Sequence, residues 1–546
     1  MKKNLLALSI AAMVGGLSGV ANAQAVVTDT TGALGRNISN TGANTPALAG
    51  LVAAGVIKAA PGAVGIPAAA TTLTPASTGV GHVLFVPYFT TQGSHATLLN
   101  LVNHDRANAK AVKLRFRGAA NSDDLFDITV FLSPGDVWSA NVSANGELSA
   151  LTTSDTSCTL PSAEQIRETA GKFSTNRVAG AADQTREGYV EILNMADIPV
   201  NAAPNSLYTA VKHASVSGVW KAPCNSAVMD LQAKALSLDP ADSANWPATR
   251  GYSWPTGGLS ANWTIVDVGT KASFSGEAVA LRATPTDLID QAGSANLVFS
   301  PQTGEAVTNA GALTADPLLK TGAVRPASYD FPDLSTPYTT VNTPEQQAND
   351  LASVLATYSV ANEYLTNAAV NFATDWVFSM PTRRYAVALN YETKAIVGHG
   401  VPTYAPAATA GFVFSKYFNA DATSGNASLN REKNRICVDA GTLASYDREE
   451  NSKTSFVISP GDTLKFCGET SVLTFNGKGS LLGAKIAVQD IPTGFSDGWL
   501  NIATPGYRTN GLPVVGFAVS KAIGADGGNF GGTWMHRTNR FANQGF

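Results

Sequence analysis

The chain has 546 residues, of which 44% are hydrophobic and only 14% are charged. Ordinary soluble domains carry roughly 25% charged residues, so this is neither a disordered nor a typical cytosolic composition. The 37 Lys and Arg against 41 Asp and Glu give a net charge of −4, which excludes a strongly basic nucleic-acid-binding protein. This length allows about two to four domains, and the abundance of Gly and Pro predicts many turns and few long helices.

The N-terminal residues 1–23 have the three parts of a secretory signal peptide. Lys2 and Lys3 form a short basic region, Leu5–Val20 is apolar, and Ala21-Asn22-Ala23 supplies the small residues that signal peptidase requires. We therefore predict cleavage between Ala23 and Gln24 and export to the cell surface. An uncleaved membrane anchor is disfavoured because the apolar stretch is shorter than the ~20 residues that span a bilayer.

Residues 24–80 are low in complexity, with mostly Ala, Gly, Thr, Pro and Val and almost no aromatic side chains to seed a core. We predict an N-terminal arm that is poorly ordered on its own. The folded body is expected to begin at Gly81, where β-branched and aromatic residues become frequent. A Pro-rich stretch, 301–343, is predicted to be a linker or surface crossover between two β-rich regions, 81–300 and 344–546.

Short runs of β-branched and aromatic residues between turn residues predict antiparallel strands throughout this body. The run Ala111–Arg117 alternates apolar and basic residues, which predicts one buried face and one solvent-facing face. The other predicted strands are 82–89, 98–102, 127–132, 137–142, 188–193, 263–268, 375–379, 385–389 and 513–519. The predicted fold class is mainly β, with one or more antiparallel β-sandwich-like domains and a few inserted helices.

A Pro-Gly turn is predicted between two of these strands, at Ser133-Pro134-Gly135-Asp136. Proline fixes φ at the first central position, and glycine accepts the positive φ that a type II turn requires at the next. The same four residue types recur at Ser459–Asp462. Either the chain contains a duplicated domain or similar turns use similar residues.

The clearest predicted helix begins at Thr343, with Pro344 in the first helical position and a capping-box spacing. Its apolar residues fall on one face, namely Leu351, Val354, Leu355 and Tyr358. Of two weaker helical patterns, 163–172 lies between the first two cysteines and 227–236 begins just after the second, Cys224. We expect these two to form a helical excursion from a β-rich body.

The four cysteines suit an oxidising compartment. Of the three possible connectivities, pairing of near neighbours is the simplest: Cys158 with Cys224, and Cys437 with Cys467. In the chain-entropy model, each such bond stabilises the fold by roughly 3 to 5 kcal/mol. A zinc site or a catalytic thiol is disfavoured because the chain has no C-x-x-C spacing.

No motif for nucleophilic, metal-dependent or nucleotide chemistry is present, so the chain is not predicted to be an enzyme. His104 and Asp105 are adjacent and would point to opposite faces of an extended segment, so we expect a solvated turn there and no catalytic pair. Calcium is considered at two acidic groups, although plain polar turns are the commoner outcome. These groups are Asn121–Asp124 with Asp127, and Asp421–Asn426 with Glu432.

Five segments together resemble a group of secreted surface proteins of Gram-negative bacteria, some of which are of the surface-layer type that forms sheaths or lattices. The resemblance implies a location at the cell surface and transfers no functional residue. Its segments are Val83–Phe89, Leu132–Trp138, Arg186–Ile192, Thr374–Val377 with Pro381-Thr382, and Gly511–Phe517.

These observations favour a self-assembling surface-layer or sheath subunit whose partners are copies of itself and the cell envelope, with no nucleic acid and no cofactor. Low charge limits repulsion between copies, and exposed sheet edges can pair with another chain. The first alternative is a monomeric adhesin or binding module that uses exposed Trp and Tyr, although Trp138, Trp263 and Trp376 lie in patterns typical of a core. A second is an outer-membrane β-barrel, because Phe546 resembles a terminal barrel residue. However, Arg540–Gly545 is too polar and Gly-rich for a lipid-facing strand.

Overall fold

A computed structural model describes residues 72–175, 181–233, 244, 249–253, 255–284, 344–390, 394–397, 400–402, 412–421, 423–454, 464–523 and 529–541. The fold is mainly β, with antiparallel sheets and a few short helices, as the composition and strand spacing predict. The predicted signal peptide, most of the predicted arm, the Pro-rich stretch 301–343 and the turn Ser459–Asp462 lie outside the described residues.

In the first part of the chain, the described residues form fourteen strands and three short helices. The strands are β1 (Thr72–Pro75), β2 (Val83–Thr90), β3 (His95–Asn103), β4 (Ala109–Gly118), β5 (Asp124–Leu132), β6 (Val137–Asn145), β7 (Leu148–Thr152), β8 (Cys158–Leu160), β9 (Glu187–Ile198), β10 (Ala214–Val216), β11 (Val219–Lys221), β12 (Leu259–Asp267), β13 (Ala272–Glu277) and β14 (Val279–Thr284). The helices are α1 (Ala163–Glu168), α2 (Leu207–Val211) and α3 (Ser226–Gln232).

The second part begins with a longer helix, α4 (Pro344–Leu355), and continues as strands. These are β15 (Ala356–Thr357), β16 (Ser359–Leu365), β17 (Ala373–Ser379), β18 (Ala388–Asn390), β19 (Ala395–Val397), β20 (Gly400–Pro402), β21 (Phe412–Phe414), β22 (Ala427–Asn430), β23 (Arg435–Asp439), β24 (Leu443–Tyr446), β25 (Ser452–Lys453), β26 (Lys465–Cys467), β27 (Thr470–Phe475), β28 (Val488–Ile491), β29 (Asp497–Ala503), β30 (Leu512–Pro513), β31 (Val515–Ile523), β32 (Asn529–Met535) and β33 (Arg537–Asn539).

Four larger sheets organise these strands. The first sheet has the order β1-β14-β2-β9-β4-β5-β8, and the second has the order β13-β12-β3-β6-β7. The third sheet is β25-β24-β29-β16-β33, and the fourth is β28-β27-β17-β31-β32. Among the paired strands described, only β27 and β28 run parallel. Each sheet therefore joins strands that are distant in the sequence.

The central strands of the fourth sheet are buried on both faces, and the sheet joins the two predicted β-rich regions. Val377 points into a core that it shares with Trp263 of the second sheet, whereas Trp376 and Phe378 point into a core formed with the third sheet. Alternate residues of one strand face opposite sides, so a continuous apolar run suits a strand covered on both faces. Residues of both β-rich regions thus contribute to one hydrophobic core.

The local turn and helix predictions agree with the structure. Gly135 has φ +73° in the turn between β5 and β6, where the N–H of Asp136 donates to the carbonyl of Ser133 at 3.1 Å. Helix α4 starts at Pro344 but ends at Leu355, so the predicted helical residue Tyr358 lies beyond it. The two weaker patterns form α1 and α3, and both helices are shorter than predicted.

Three expectations are corrected by the structure. Residues 72–75, assigned to the arm, form β1 and pair with β14 in register Thr72↔Thr284, so the folded body includes residues before Gly81. The predicted strand 385–389 instead follows a 3-10 turn at Arg383–Tyr385, and only its last residues enter β18. The basic face of β4, predicted to face solvent, is buried because acidic side chains of neighbouring strands and a segment of the second region cover it.

Both disulfides follow the near-neighbour connectivity. Cys158 pairs with Cys224 across 66 residues, and Cys437 pairs with Cys467 across 30 residues. The second bond joins directly opposed residues of β23 and β26. No free cysteine is present in the described part of the chain.

Candidate functional site

The most unusual interior feature is the buried basic row of β4. Lys113, Arg115 and Arg117 are at most 2% exposed. Arg115 lies opposite Asp127 of β5 on one side and Glu191 of β9 on the other. Buried charges are tolerated when opposite charges and hydrogen bonds compensate their lost hydration. This row is therefore a structural network inside the first sheet.

Glu191 connects this network to the second part of the chain. Nη2 of Arg384 donates to both carboxylate oxygens of Glu191, at 2.9 and 3.0 Å, and Nε of Arg117 lies 3.5 Å from Oε2. The guanidinium of Arg384 also stacks on the ring of Tyr385, 4.2 Å from its centroid. Burial opposes the charge of Arg384, but Glu191 together with Tyr385 and Tyr189 outweighs burial and raises the pKa of this arginine. The contact is an ionic tie between the two β-rich regions.

Asp127 is the most perturbed carboxyl group of the network. Its Oδ2 lies 3.8 Å from Nζ of Lys113 and 4.0 Å from Nε of Arg115. Burial, with help from the neighbouring Asp124, raises the pKa of Asp127 to about 7 against the opposing effect of these basic groups. The group therefore takes up a proton near neutral pH.

The two acidic groups considered for calcium have other roles in the structure. Asp124 lies 3.7 Å from Nη1 of Arg117, so a guanidinium is its cationic neighbour. Oδ1 of Asp421 accepts the N–H groups of Thr423 and Ser424, at 2.9 and 3.0 Å, and closes a turn. The described residues contain no group of three or more His, Cys, Asp or Glu arranged to hold a metal ion.

His104 and Asp105 lie in the loop after β3 and do not contact each other through their side chains. Nε2 of His104 is 2.8 Å from Oγ of Ser260. Asp105 accepts the N–H groups of Ala107 and Asn108, at 2.8 and 3.0 Å, as expected for a turn.

A polar cluster that the sequence did not predict surrounds the turn before β6. Oδ2 of Asp136 accepts hydrogen bonds from N and Oγ of Ser133 and from Oγ of Ser157, at 3.0 to 3.2 Å. The same oxygen lies 3.4 Å from Nδ1 of His213, whose Nε2 is 3.2 Å from Oγ1 of Thr156. Three hydroxyl and amide donors already occupy Asp136, so the cluster fastens this turn to neighbouring loops. Its members are far apart in sequence, and only the turn itself was recognisable.

An isolated two-stranded hairpin, β10–β11, starts beside His213. Its tip residues, Ser217 and Gly218, both have positive φ, at +53° and +80°, which is the requirement of a type I′ turn. Val219 is 57% exposed and Trp220 is 70% exposed. The hairpin therefore presents a large aromatic side chain to solvent.

Exposed apolar side chains recur along the C-terminal ribbon, defined as β32 with β33. Phe530 is 65% exposed, and Trp534 and Met535 are 44% and 46% exposed. The ring of Trp534 covers Gly532, where an added Cβ would lie 2.8 Å from the ring. Phe274 of β13 flanks the start of the ribbon. The sequence around these residues is Gly-rich, and it did not predict a strand here.

The two strands of the ribbon lie at sheet edges. β32 is the last strand of the fourth sheet and β33 is the last strand of the third, as far as the described strands show. An edge strand presents backbone N–H and C=O groups that can pair with another strand. The ribbon thus combines edge backbone with exposed aromatic side chains.

The chain matches no protein-family model, no curated protein and no solved structure. None of the helices in the described part of the chain is both long enough and apolar enough to cross a membrane.

Proposed function

We propose that this chain is a secreted structural protein of the cell surface that assembles with copies of itself, as a surface-layer or sheath subunit. The observation that carries the proposal is the C-terminal ribbon. Its edge backbone can be completed by a strand of another copy, and Phe530 and Trp534, which share one face of β32, supply large apolar contacts beside that edge.

The distribution of tryptophans supports this proposal over recognition by a broad aromatic surface. Trp138, Trp263 and Trp376 are fully buried and unavailable to a ligand. Exposed tryptophan occurs on the ribbon and on the hairpin β10–β11, which are both peripheral strand elements. Aromatic anchors on strand edges favour contact with another sheet.

Composition and the predicted export support the same function. A chain with only 14% charged residues meets little repulsion when copies pack side by side. Two disulfides suit an extracellular protein that must persist outside the cell. The signal-peptide pattern of residues 1–23 would deliver it there.

A monomeric adhesin or binding module is the second candidate. The observation that favours it is Trp220, which is 70% exposed on a hairpin with few neighbours. A projecting aromatic side chain can stack on a sugar ring or enter a pocket of a partner protein. In this case the hairpin, and not the ribbon, would carry the function.

Assembly of the mature chain, 24–546, separates the two candidates. We expect sedimentation velocity over a concentration series to show large species, and electron microscopy to show ordered arrays or filaments, in buffers with and without calcium. Trp534→Ser in the ribbon is expected to raise the concentration needed for assembly about tenfold or more, equivalent to about 1.4 kcal/mol.

Trp220→Ser on the hairpin is the matched control and is expected to leave assembly unchanged. A discrete monomer at every concentration, with and without calcium, would contradict the structural role and favour the adhesin. Loss of assembly in Trp220→Ser but not in Trp534→Ser would move the contact from the ribbon to the hairpin.

A further inference from the structure

Lys110 and Asp197 form a fully buried pair between two central strands of the first sheet, near the start of β4 and the end of β9. They lie directly opposite each other on the adjacent strands β4 and β9. Nζ of Lys110 is 2.7 Å from Oδ1 of Asp197, and both side chains are 0% exposed. An amine and a carboxyl group are thus held together in an environment from which water is excluded.

A second carboxylate lies beside the same amine. Oδ2 of Asp105 is 3.6 Å from Nζ of Lys110 and belongs to the loop that precedes β4. The hydroxyl of Thr256 accepts a hydrogen bond from Nζ at 3.3 Å and donates to Oδ2 of Asp197. The four groups form a closed arrangement in which the carboxyl of Asp197 is held from two sides.

The two carboxyl groups have opposite electrostatic tendencies. Burial raises the pKa of Asp197 and favours its protonated form. Burial acts in the same direction on Asp105, but the charge of Lys110 and the donors at Ala107 and Asn108 outweigh it and lower the pKa of Asp105. Asp197 therefore favours the protonated form, whose Cγ an amine can attack, whereas Asp105 is the charged carboxylate beside the same amine.

We propose that Lys110 and Asp197 condense into an intramolecular amide that covalently links β4 to β9, with Asp105 as the proton acceptor. This inference is independent of the proposed assembly function, because it concerns the interior of a single copy.

The reaction requires no reagent beyond these side chains. The ammonium of Lys110 gives one proton to the carboxylate of Asp105 and becomes an amine. The amine attacks Cγ of the protonated Asp197, so that a C–N bond forms. The C–OH bond then breaks, and the hydroxyl leaves as water with the second proton of the amine. Asp105 retains the first proton, and the products are one amide, one water molecule and a neutral Asp105.

Two physical effects favour this condensation inside the fold. Well-oriented intramolecular reactants reach effective concentrations of about 10⁵ M or more, which offsets the high water concentration that opposes amide formation in solution. The reaction also removes the charge of the buried Lys110 ammonium and of the Asp105 carboxylate, whose desolvation is unfavourable, and leaves only neutral groups. The folded state therefore supplies both the proximity and the driving force.

Intact mass spectrometry of the reduced, denatured mature chain, secreted by its native export route, tests the proposal directly. The linked protein is lighter than its sequence mass by one water molecule. Trypsin cannot cleave after an acylated lysine, so digestion is expected to give peptide 107–113 joined to peptide 187–212. Fragmentation of the joined pair assigns the linked residues.

Asp105→Asn tests the role of the proton acceptor. General bases contribute about 10²- to 10⁴-fold in rate, so this variant is expected to contain predominantly unlinked protein at the time when the native chain is fully linked. Asp127→Asn is the matched control, since it removes another buried carboxyl that lies beside Lys113, and its linked fraction is expected to equal that of the native chain.

Several results would overturn the proposal. The native chain could have its full sequence mass, with trypsin cleaving after Lys110. A link from Lys110 to Asp105 would show that the roles of the two carboxyl groups are reversed. Equal linkage in Asp105→Asn and in the native chain would remove Asp105 from the reaction. The first measurement uses the unmodified protein, so it does not depend on any variant folding.

Discussion

The indole of Trp263 and the ring of Phe517 lie with their centroids 4.4 Å apart, inclined by 39°. Trp263 belongs to β12 in the second sheet and Phe517 to β31 in the fourth, and both side chains are fully buried. The sequence places these residues in different β-rich regions, on either side of the Pro-rich stretch. Their contact is a direct link between the two regions within one hydrophobic core.

Truncation of Phe517 is expected to destabilise the whole fold. Phe517→Ala removes a large apolar side chain and leaves a cavity, which typically lowers the free energy of unfolding by about 3–5 kcal/mol. Urea unfolding followed by tryptophan fluorescence measures this change, because Trp263 reports on the same contact. Phe530→Ala, at an exposed position, is the control and is expected to change stability by about 0.5 kcal/mol or less. Equal effects of the two substitutions would contradict the shared core.

Neutralising Glu191 is expected to be strongly destabilising. Glu191→Gln leaves the buried Arg384 and Arg117 without this carboxylate, and breaking a buried ion pair on one side typically costs about 3–5 kcal/mol. Glu363→Gln provides the comparison, since Glu363 forms an exposed pair with Arg537 at 3.6 Å and such pairs contribute about 1 kcal/mol or less. Chemical unfolding of both variants checks the contrast. A Glu191→Gln variant as stable as Glu363→Gln would show that the ionic tie is dispensable.

Asp375 predicts a specific dependence of stability on pH. Burial raises the pKa of Asp375 from its ordinary 3.8 to about 6, although Ser480 and the N–H of Leu482 donate to it. The folded protein therefore binds this proton more tightly than the unfolded chain. The resulting stability is present in full below about pH 4 and is lost as the pH rises through about 6.

Asp375→Asn cannot titrate, so it is expected to escape this loss. Relative to the native chain, the variant is expected to gain on the order of 3 kcal/mol between pH 4 and pH 7. Urea unfolding at intervals of pH gives the two curves. Parallel curves for the native chain and the variant would contradict the raised pKa of Asp375.

The disulfides are expected to contribute unequally. In the chain-entropy model, the 66-residue loop closed by Cys158 and Cys224 gives slightly more stability than the 30-residue loop closed by Cys437 and Cys467, each within about 3–5 kcal/mol. Paired Cys→Ser variants of each bond, unfolded thermally beside the native chain, measure the two contributions. Unchanged melting temperature in either paired variant would contradict a stabilising role for that bond.

Local features of the sequence predicted local structure well. The turn at Ser133–Asp136 forms with Gly135 at positive φ, because proline and glycine fix the backbone without help from the rest of the chain. Helix α1 likewise forms within the pattern predicted at 163–172, and its capping box, which was not predicted, involves only Ser162 and Gln165, three residues apart. Such signals depend on neighbours in sequence and can be recognised directly.

Features set by distant residues were not predictable in this way. Alternation in β4 correctly places Lys113 and Arg115 on one face, but it contains no information on what covers that face. Glu191 and Arg384 cover this face of β4. The segment that contains Arg384 was predicted to form a strand from Tyr385 onward. A 3-10 turn at Arg383–Tyr385 stands where the strand was predicted to start. This turn includes Arg384, which donates to Glu191.

The candidate surface was missed for a related reason. Phe530 and Trp534 are separated by Gly-rich sequence that has low intrinsic strand propensity. β32 forms because its backbone pairs with β31, in register Phe530↔Ala522 and Trp534↔Ala518. Pairing with an already buried strand therefore overrides the local preference, and the aromatic side chains remain on the outside.

The order of strands in the third and fourth sheets determines when these sheets can be completed during synthesis of the chain. β16 pairs with β29 and β33, and β17 pairs with β31, so strands made early in this region find their neighbours only near the C terminus. At about 5–20 residues per second, the ribosome needs roughly ten seconds or more to deliver those neighbours. Until then β16 lacks the two strands with which it pairs. Late completion of these sheets suits the proposed export, because a sheet that is still open can be threaded through a narrow pore.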